Sequence, residues 1–291
     1  MAHLTKDGKA YRFTGTLTEH AERAMDREAL GKLKPEDMEN LASDSRGTER
    51  TEWSMTGSLQ EALDLARDGW AEGSKRLSDL RDGLMDRVGQ VMPEEVYMRD
   101  VSGFEVDVSA YLAGEPEHMI TTASVPGRER HVHVMVNIGT SAHRSPESMM
   151  MRGLMAAGVV DALESMGHRV TLDVATFLYG NNDATLTHIV NIKRAEDPLD
   201  LERTVFACAH PSMLRRLTFG VMESMDKTRR KWFRVSTSSG YGSPSDQPEY
   251  FLSPDEMPDL YIGNASRAET LEEVADEVVR YLRESGVVEA D

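Results

Sequence analysis

The 291 residues are 40% hydrophobic and carry a formal charge of -17, with 50 acidic side chains against 33 basic ones. That length can bury one large core or two modest ones, and so acidic a balance argues against nucleic acid as a whole-surface partner. One cysteine, Cys208, excludes an internal disulfide and a zinc-ribbon framework, and no apolar run approaches the roughly 20 residues that span a bilayer.

Residues 1–50 are weakly patterned and read as an N-terminal arm. Within them Thr18 opens a helix through Leu33, residues 35–41 add another turn or two, and residues 43–50 form a loop. Residues 1–11 lack the apolar stretch of a signal peptide, so a soluble, intracellular protein with no membrane partner is expected.

Residues 51–125 read as a mainly helical, mixed region. Its most distinctive signature runs from Trp53 through Gly57, Ser58, Glu61 and Ala62 to Gly69, Trp70 and Gly73. Ser58 and Glu61 make a capping box, Leu59, Ala62, Leu63 and Ala66 give one apolar face, and Gly69 ends the helix. Trp53 and Trp70 flank this helix. They either clamp it to the body or form a recognition surface for a partner or a base. A second helix is expected over residues 72–91. The alternation of Phe104, Val106 and Val108 then predicts a strand.

The polar run at residues 126–130 is the best boundary candidate, which leaves residues 126–291 as an α/β domain. Val132, Val134 and Val136 alternate with His131, His133, Met135 and Asn137, the period of a strand. Ser145, Pro146 and Glu147 start a helix that is apolar over most of its circumference and stops at Gly167. Two further strands, residues 169–176 and 186–193, flank an Asn/Gly-rich turn and read as a hairpin. A helix opens near Asp200, another run begins at Ser212, and residues 236–258 form a Ser/Gly/Pro-rich loop insertion. A short strand at residues 260–262 and an amphipathic helix at 269–284 close the chain. The expected architecture is a three-layer α/β sandwich with a mostly parallel sheet.

Chemistry-bearing patterns are sparse. There is no Walker A loop, no Gly-x-Gly-x-x-Gly, and Ser141 does not sit in a nucleophile elbow. No cofactor, catalytic group or metal-ligand set is expected, and no reaction is assigned. His131 and His133 share a side of their strand, but the other histidines supply no ligand spacing. Cys208 lies beside Phe206 with no cationic activator and reads as an inert thiol.

Charge asymmetry is the strongest functional hint. Residues 211–234 hold seven basic residues against two acidic ones: Arg215, Arg216, Lys227, Arg229, Arg230, Lys231 and Arg234, interleaved with Trp232 and Phe233. Such a stretch suits nucleic acid or an acidic protein partner. Residues 249–291 carry twelve acidic and three basic residues, so the two surfaces can also pair within the chain or between copies.

The order strand, polar loop Asn137-Ile138-Gly139-Thr140-Ser141, helix and hairpin resembles the start of a von Willebrand factor A-like domain. That family holds a divalent metal with an Asp-x-Ser-x-Ser loop at this place. Here Asn137, Gly139 and Ser141 stand at the matching positions, so the resemblance implies a degenerate, metal-free ligand loop. The signature from Trp53 to Trp70, with Gly114-Glu115-Pro116 and His210 to Arg216, resembles a family of uncharacterised proteins of phages and mobile elements. It implies a phage origin. The resulting expectation is a non-catalytic interaction or assembly protein that binds a protein partner or itself in the cytoplasm of a bacterial host cell, with virion association as an alternative destination. The competing expectation is a nucleic-acid-binding or processing factor acting through residues 215–234.

Overall fold

The computed structural model describes residues 9–26, 28, 31, 41–43, 48–88, 96–123, 131–141, 143–165, 167–235, 240–264, 276, 280 and 283. The first half supplies β1 (Ala10–Thr16), α1 (Leu17–Met25), α2 (Thr48–Ser54), α3 (Leu59–Asp68) and α4 (Ala71–Val88). A small unit follows, made of β2 (Val96–Asp100), β3 (Glu105–Val106), α5 (Val108–Leu112) and β4 (Met119–Ala123). Then come β5 (His131–Asn137), α6 (Pro146–Ser165), β6 (Arg169–Tyr179), β7 (Thr185–Lys193) and α7 (Leu201–Ala209). A π-helical stretch, Met213–Thr218, runs into α8 (Phe219–Glu223). α9 (Lys227–Trp232), β8 (Ser243–Pro244) and β9 (Leu260–Ile262) complete the described elements.

The main sheet has the order β1-β7-β6-β5-β9, with β8 paired to β6. β1 runs parallel to β7, and β5 runs parallel to both β6 and β9, while β6 pairs antiparallel with β7 and β8. The sheet is therefore mostly parallel, and the protein is α/β as expected.

Strand alternation divides the side chains between two faces. Val132, Val134 and Val136 of β5 point into one core with Val170, Leu172 and Val174 of β6. Buried side chains of α1, α3, α4, α6, α7 and α8 complete that core. The other face carries Met135, Ala175, Phe177 and Ile189, covered by Phe251 and Leu252 from the loop between β8 and β9. Among the described residues no helix joins this second cluster, and the closing helix expected at 269–284 lies almost wholly outside them.

α6 has thirteen buried residues out of twenty, so it is enclosed by the sheet on one side and α7 on the other. Gly153 makes the crossing with α7 close. A Cβ there would lie 2.2 Å from both the Cα of Ala209 and the carbonyl oxygen of Cys208. Gly69, at φ 88°, ends α3 in a conformation other residues avoid, and its missing Cβ leaves room for Glu202.

Several expectations change. β1 lies in the stretch read as an arm, yet it is an edge strand of the main sheet, paired from Ala10–Thr185 to Thr16–Asn191. Tyr11 and Phe13 alternate inward, but the pairing spans some 175 positions and leaves no local mark. Residues before and after the expected boundary at 126–130 thus share one sheet and one core, and the boundary segment lies outside the described residues. α2 occupies part of the expected loop at 43–50. The expected strand at 104–108 stops after Val106 because Asp107 caps a helix, accepting the backbone N–H groups of Ser109 (3.0 Å) and Ala110 (3.1 Å).

Candidate functional site

The expected ligand loop sits at the carboxyl ends of β5 and β9, where ligands bind in open α/β sheets. Asn137 is fully buried. Its side-chain N–H groups donate to the Ser245 carbonyl (2.8 Å), the Tyr261 hydroxyl (2.9 Å) and Asp246 Oδ1 (3.2 Å). Its own Oδ1 accepts the Gly139 N–H at 2.9 Å. Asp246 Oδ1 also accepts the Tyr261 hydroxyl (3.0 Å) and the Asn264 N–H (2.8 Å), and Asn264 Nδ2 donates to the Gly139 carbonyl at 2.6 Å. Burial, with the Asp246 charge beside it, raises the Tyr261 pKa and keeps the phenol protonated.

Asp246, from a distant loop, brings a carboxylate beside Asn137. Asn137 turns donors toward it where a cation would need another acceptor. Thr140 is half-buried, and Ser141 is exposed and accepts the His143 N–H at 3.4 Å. The arrangement clasps β5, β9 and the loop after β8. Among the described residues no three His, Cys, Asp or Glu side chains are grouped to hold a metal ion.

His131 and His133 do share one side of β5. Each is used locally: His131 Nε2 meets Thr171 Oγ1 at 2.7 Å, and His133 Nε2 meets Asp173 Oδ2 at 2.9 Å. Cys208 is buried, and burial pushes its thiol up to about 12.

The basic stretch does not form one surface. Arg215 and Arg216 lie in the π-helical segment and are 1% and 0% exposed, so the guanidinium groups are core elements. Arg215 stacks over the Trp53 ring at 4.1 Å and donates to the carbonyls of Trp53 and Arg144, the latter at 2.8 Å. Burial pulls its pKa down to about 9, so it stays charged at neutral pH. Arg216 donates to the Thr56 carbonyl (2.7 Å), the Thr56 hydroxyl (3.3 Å) and the carbonyls of Ala42 and Ser43 (3.2 Å each). Close by, buried Glu223 accepts the Ser43 N–H (3.1 Å), the Ser43 hydroxyl and the Tyr241 hydroxyl (2.6 Å). Together these groups hold residues 41–43 and 53–56 onto the helical core. Arg230 is also buried.

Lys227, Arg229, Lys231 and Arg234 remain exposed, with Trp232 half-buried beside them. Two cations and the backbone carbonyl of Lys231 meet the turn between β6 and β7. Lys9 Nζ donates to the Asn182 carbonyl (3.1 Å), Arg234 Nε to Asn181 Oδ1 (3.0 Å), and Asn181 Nδ2 to the Lys231 carbonyl (3.3 Å). Arg229 lies 5.4 Å above the Tyr11 ring and pairs with Asp226 at 3.2 Å.

The tryptophans occupy structural positions. Trp70 is buried edge-on to His210 at 4.7 Å, and its backbone N–H donates to the Glu202 carbonyl at 3.1 Å. Trp53 is half-buried between Arg215 and Phe219. The Ser58 cap forms at 3.2 Å, while Glu61 reaches back to the Gly57 N–H at 2.6 Å.

The small sheet, order β2-β4-β3, has the opposite character. Met98, Val101, Phe104, Val106, Val108, Tyr111 and Leu112 are all exposed, Leu112 to 78%. Among the described side chains of residues 98–121 only Ala110 is buried. Five carboxylates (Asp100, Glu105, Asp107, Glu115 and Glu117) are interspersed with these apolar residues along the chain. Arg99 is the sole Lys or Arg there and is committed to Asp107 (2.5 Å) and Glu115 (3.1 Å). Asp107 is held down to about 2, chiefly by the hydrogen bond from the Ser109 hydroxyl and then by the Ala110 N–H.

A family model described as "Domain of unknown function (DUF7192)" matches residues 15–289. The chain belongs to that family. No curated protein and no solved structure matches it. In this DUF7192 chain the exposed apolar face escaped sequence reasoning because its alternation resembles that of a buried strand. The one available signal was composition, since carboxylates interrupt the apolar residues at 100, 105 and 107.

Proposed function

We propose that the protein is a non-catalytic interaction or assembly protein, and that it binds a protein partner or itself through the apolar face of the small sheet. One observation carries this reading. Of the ten large hydrophobic side chains exposed among the described residues, seven lie between Met98 and Leu112. Scattered exposed apolar residues are ordinary, but their concentration in one short stretch costs solubility unless something covers it. The inward-turned polar groups around Asn137 and Asp246 offer no comparable opening for chemistry.

The order of strand, polar loop, helix and hairpin around β5 supports a von Willebrand A-like scaffold with a degenerate loop. The Trp53 to Trp70 signature supports a phage origin, hence the cytoplasm of a bacterial host cell or a virion as the site of action. A second reading, nucleic-acid binding, draws on the exposed Lys227, Arg229, Lys231 and Arg234. It is weakened by the burial of Arg215, Arg216 and Arg230 and by the partial burial of Trp232 beside the exposed cations.

The test compares wild type with a Phe104→Ser, Tyr111→Ser, Leu112→Ser variant. Mass by light scattering and quantitative capture of proteins from the host extract are the two readouts. Loss of self-association or of specific captured proteins in the variant is expected. Identical mass and identical capture would overturn the reading. Nucleic acid that co-purifies and leaves with rising salt, unless Lys227 and Lys231 are changed to Ala, would favour the second reading.

A further inference from the structure

We infer that the cleft between α1, α3 and α7 binds a small organic anion with an apolar body, an alkyl or aryl monocarboxylate, and that Arg203 holds its charge. The site lies apart from the small sheet and does not depend on the function proposed for it.

Two helices build the apolar walls. α1 contributes Leu17, Ala21 and Met25, spaced four apart on one stripe, and α3 contributes Leu63 and Ala66. Small side chains at Ala21 and Ala66 leave a cavity of about 400 Å³ between the walls. That is the size of a small-molecule site, and apolar walls with few polar groups are the usual composition of one. Met25, which is 49% exposed, borders the opening with a flexible thioether that can adapt to a guest.

Charge decides the class of guest. Arg203 of α7 forms part of the wall and is half-buried. Among the described residues its guanidinium makes no hydrogen bond and no ion pair, and its Nε–H is sealed from solvent without an acceptor. Such a donor costs free energy that no described group offsets. A carboxylate on the Nη groups, which are not sealed, supplies the missing counter-charge. Arg67 also lines the cleft but is already paired with Asp64 (3.1 Å) and Asp68 (2.7 Å).

Glu22 is the opposing charge on the wall. It is exposed, so water solvates it and standing unpaired costs it little. The asymmetry between a partly desolvated cation and a hydrated carboxylate selects an anion over a cation. Glu22 also limits the guest to a single negative charge, since a di- or triphosphate would place further like charges beside it.

The experiment is calorimetric titration of the full chain at neutral pH with octanoate, octylamine and acetate. Octanoate is expected to bind, acetate to bind far more weakly for want of an apolar body, and octylamine to bind more weakly for its charge. Arg203→Gln should weaken octanoate binding by about tenfold or more, the loss expected when a charged hydrogen-bond donor is removed, and should leave octylamine unchanged. Ala21→Met, which fills the cavity, should weaken octanoate in a chain whose thermal unfolding midpoint shows it folded. A wild type that does not bind octanoate overturns the inference. So does octanoate binding that is unchanged in Arg203→Gln, or octylamine bound as tightly as octanoate, because the cleft would then select for apolar surface and not for charge.

Discussion

In the body of the protein the guanidinium groups of Arg215 and Arg216 lie in the core, whereas in the small sheet and its helix seven large apolar side chains face solvent. Each region reverses the polarity expected of it. Arg216 is tolerated inside because four acceptors from residues 42, 43 and 56 meet its donors, and the Glu223 carboxylate lies on the same segment. Phe104 and Leu112 are tolerated outside only if their exposure is used. Burial of charge therefore marks structure here, and the proposed function rests on the exposure of apolar surface.

The sharpest way to break that contrast is Arg216→Ala. The change removes the guanidinium that donates to the carbonyls of Ala42, Ser43 and Thr56 in the core, with Glu223 still buried nearby. Losing one member of such a buried set costs about 3–5 kcal/mol. Urea unfolding measures it, and a loss below about 1 kcal/mol would mean that Arg216 is not structural.

Acid tests the same core through its histidines. His20 and His188 are buried, their rings 5.8 Å apart, and neither nitrogen of His188 has a hydrogen-bond partner among the described residues. Burial lowers His20 from 6.5 to about 3 and carries His188 well below 6.5, with His20 adding to the shift. Because the folded values are depressed, the unfolded chain takes up these protons first. The stabilisation is complete above pH 6.5 and is lost as pH falls from there toward 3. Each histidine contributes a slope of up to about 1.4 kcal/mol per pH unit in that window. Unfolding midpoints between pH 7.5 and 5 should fall accordingly, and His188→Phe should make the decline shallower. An unchanged slope in that variant would remove His188 from the account.

The main sheet could be read because its signals are local. The Val132–Val136 alternation, the Ser145-Pro146-Glu147 start and the Asn/Gly turn at 180–183 each lie within a few residues of the structure they specify. β1 could not, since its partner β7 lies far along the chain. Arg215 and Arg216 read as a surface because charge usually is one, and their burial depends on carbonyls from residues 42–56 and 144. The strand expected from Phe104 to Val108 gave way to a single carboxylate, as Asp107 starts a helix in mid-pattern. The candidate binding face was lost with that strand, because the pattern that predicts a core is also the pattern of an apolar surface.

Gly153 sharpens the comparison from the apolar side of the body. Adding one methyl group there brings it against the α7 backbone, which cannot rotate away as a side chain could. Gly153→Ala should cost about 1–3 kcal/mol by forcing α6 and α7 apart. Urea unfolding reads this as well. A neutral result would mean that the crossing has slack.

The smallest effect on stability is expected where the apolar content is highest. Phe104→Ser and Leu112→Ser remove large side chains that are 63% and 78% exposed, so little buried area is lost. Each should leave the unfolding free energy within about 0.5 kcal/mol of wild type, while association weakens. A matched substitution at a buried site such as Leu172, which is 0% exposed, should cost several-fold more. If Phe104→Ser instead destabilised the isolated chain as much as a core substitution, the face would be covered within the molecule, and the contrast between a charged interior and an apolar exterior would fail at its second half. Unchanged stability with lost association is the combination that only a binding face produces, since a core residue moves both quantities and an idle surface residue moves neither.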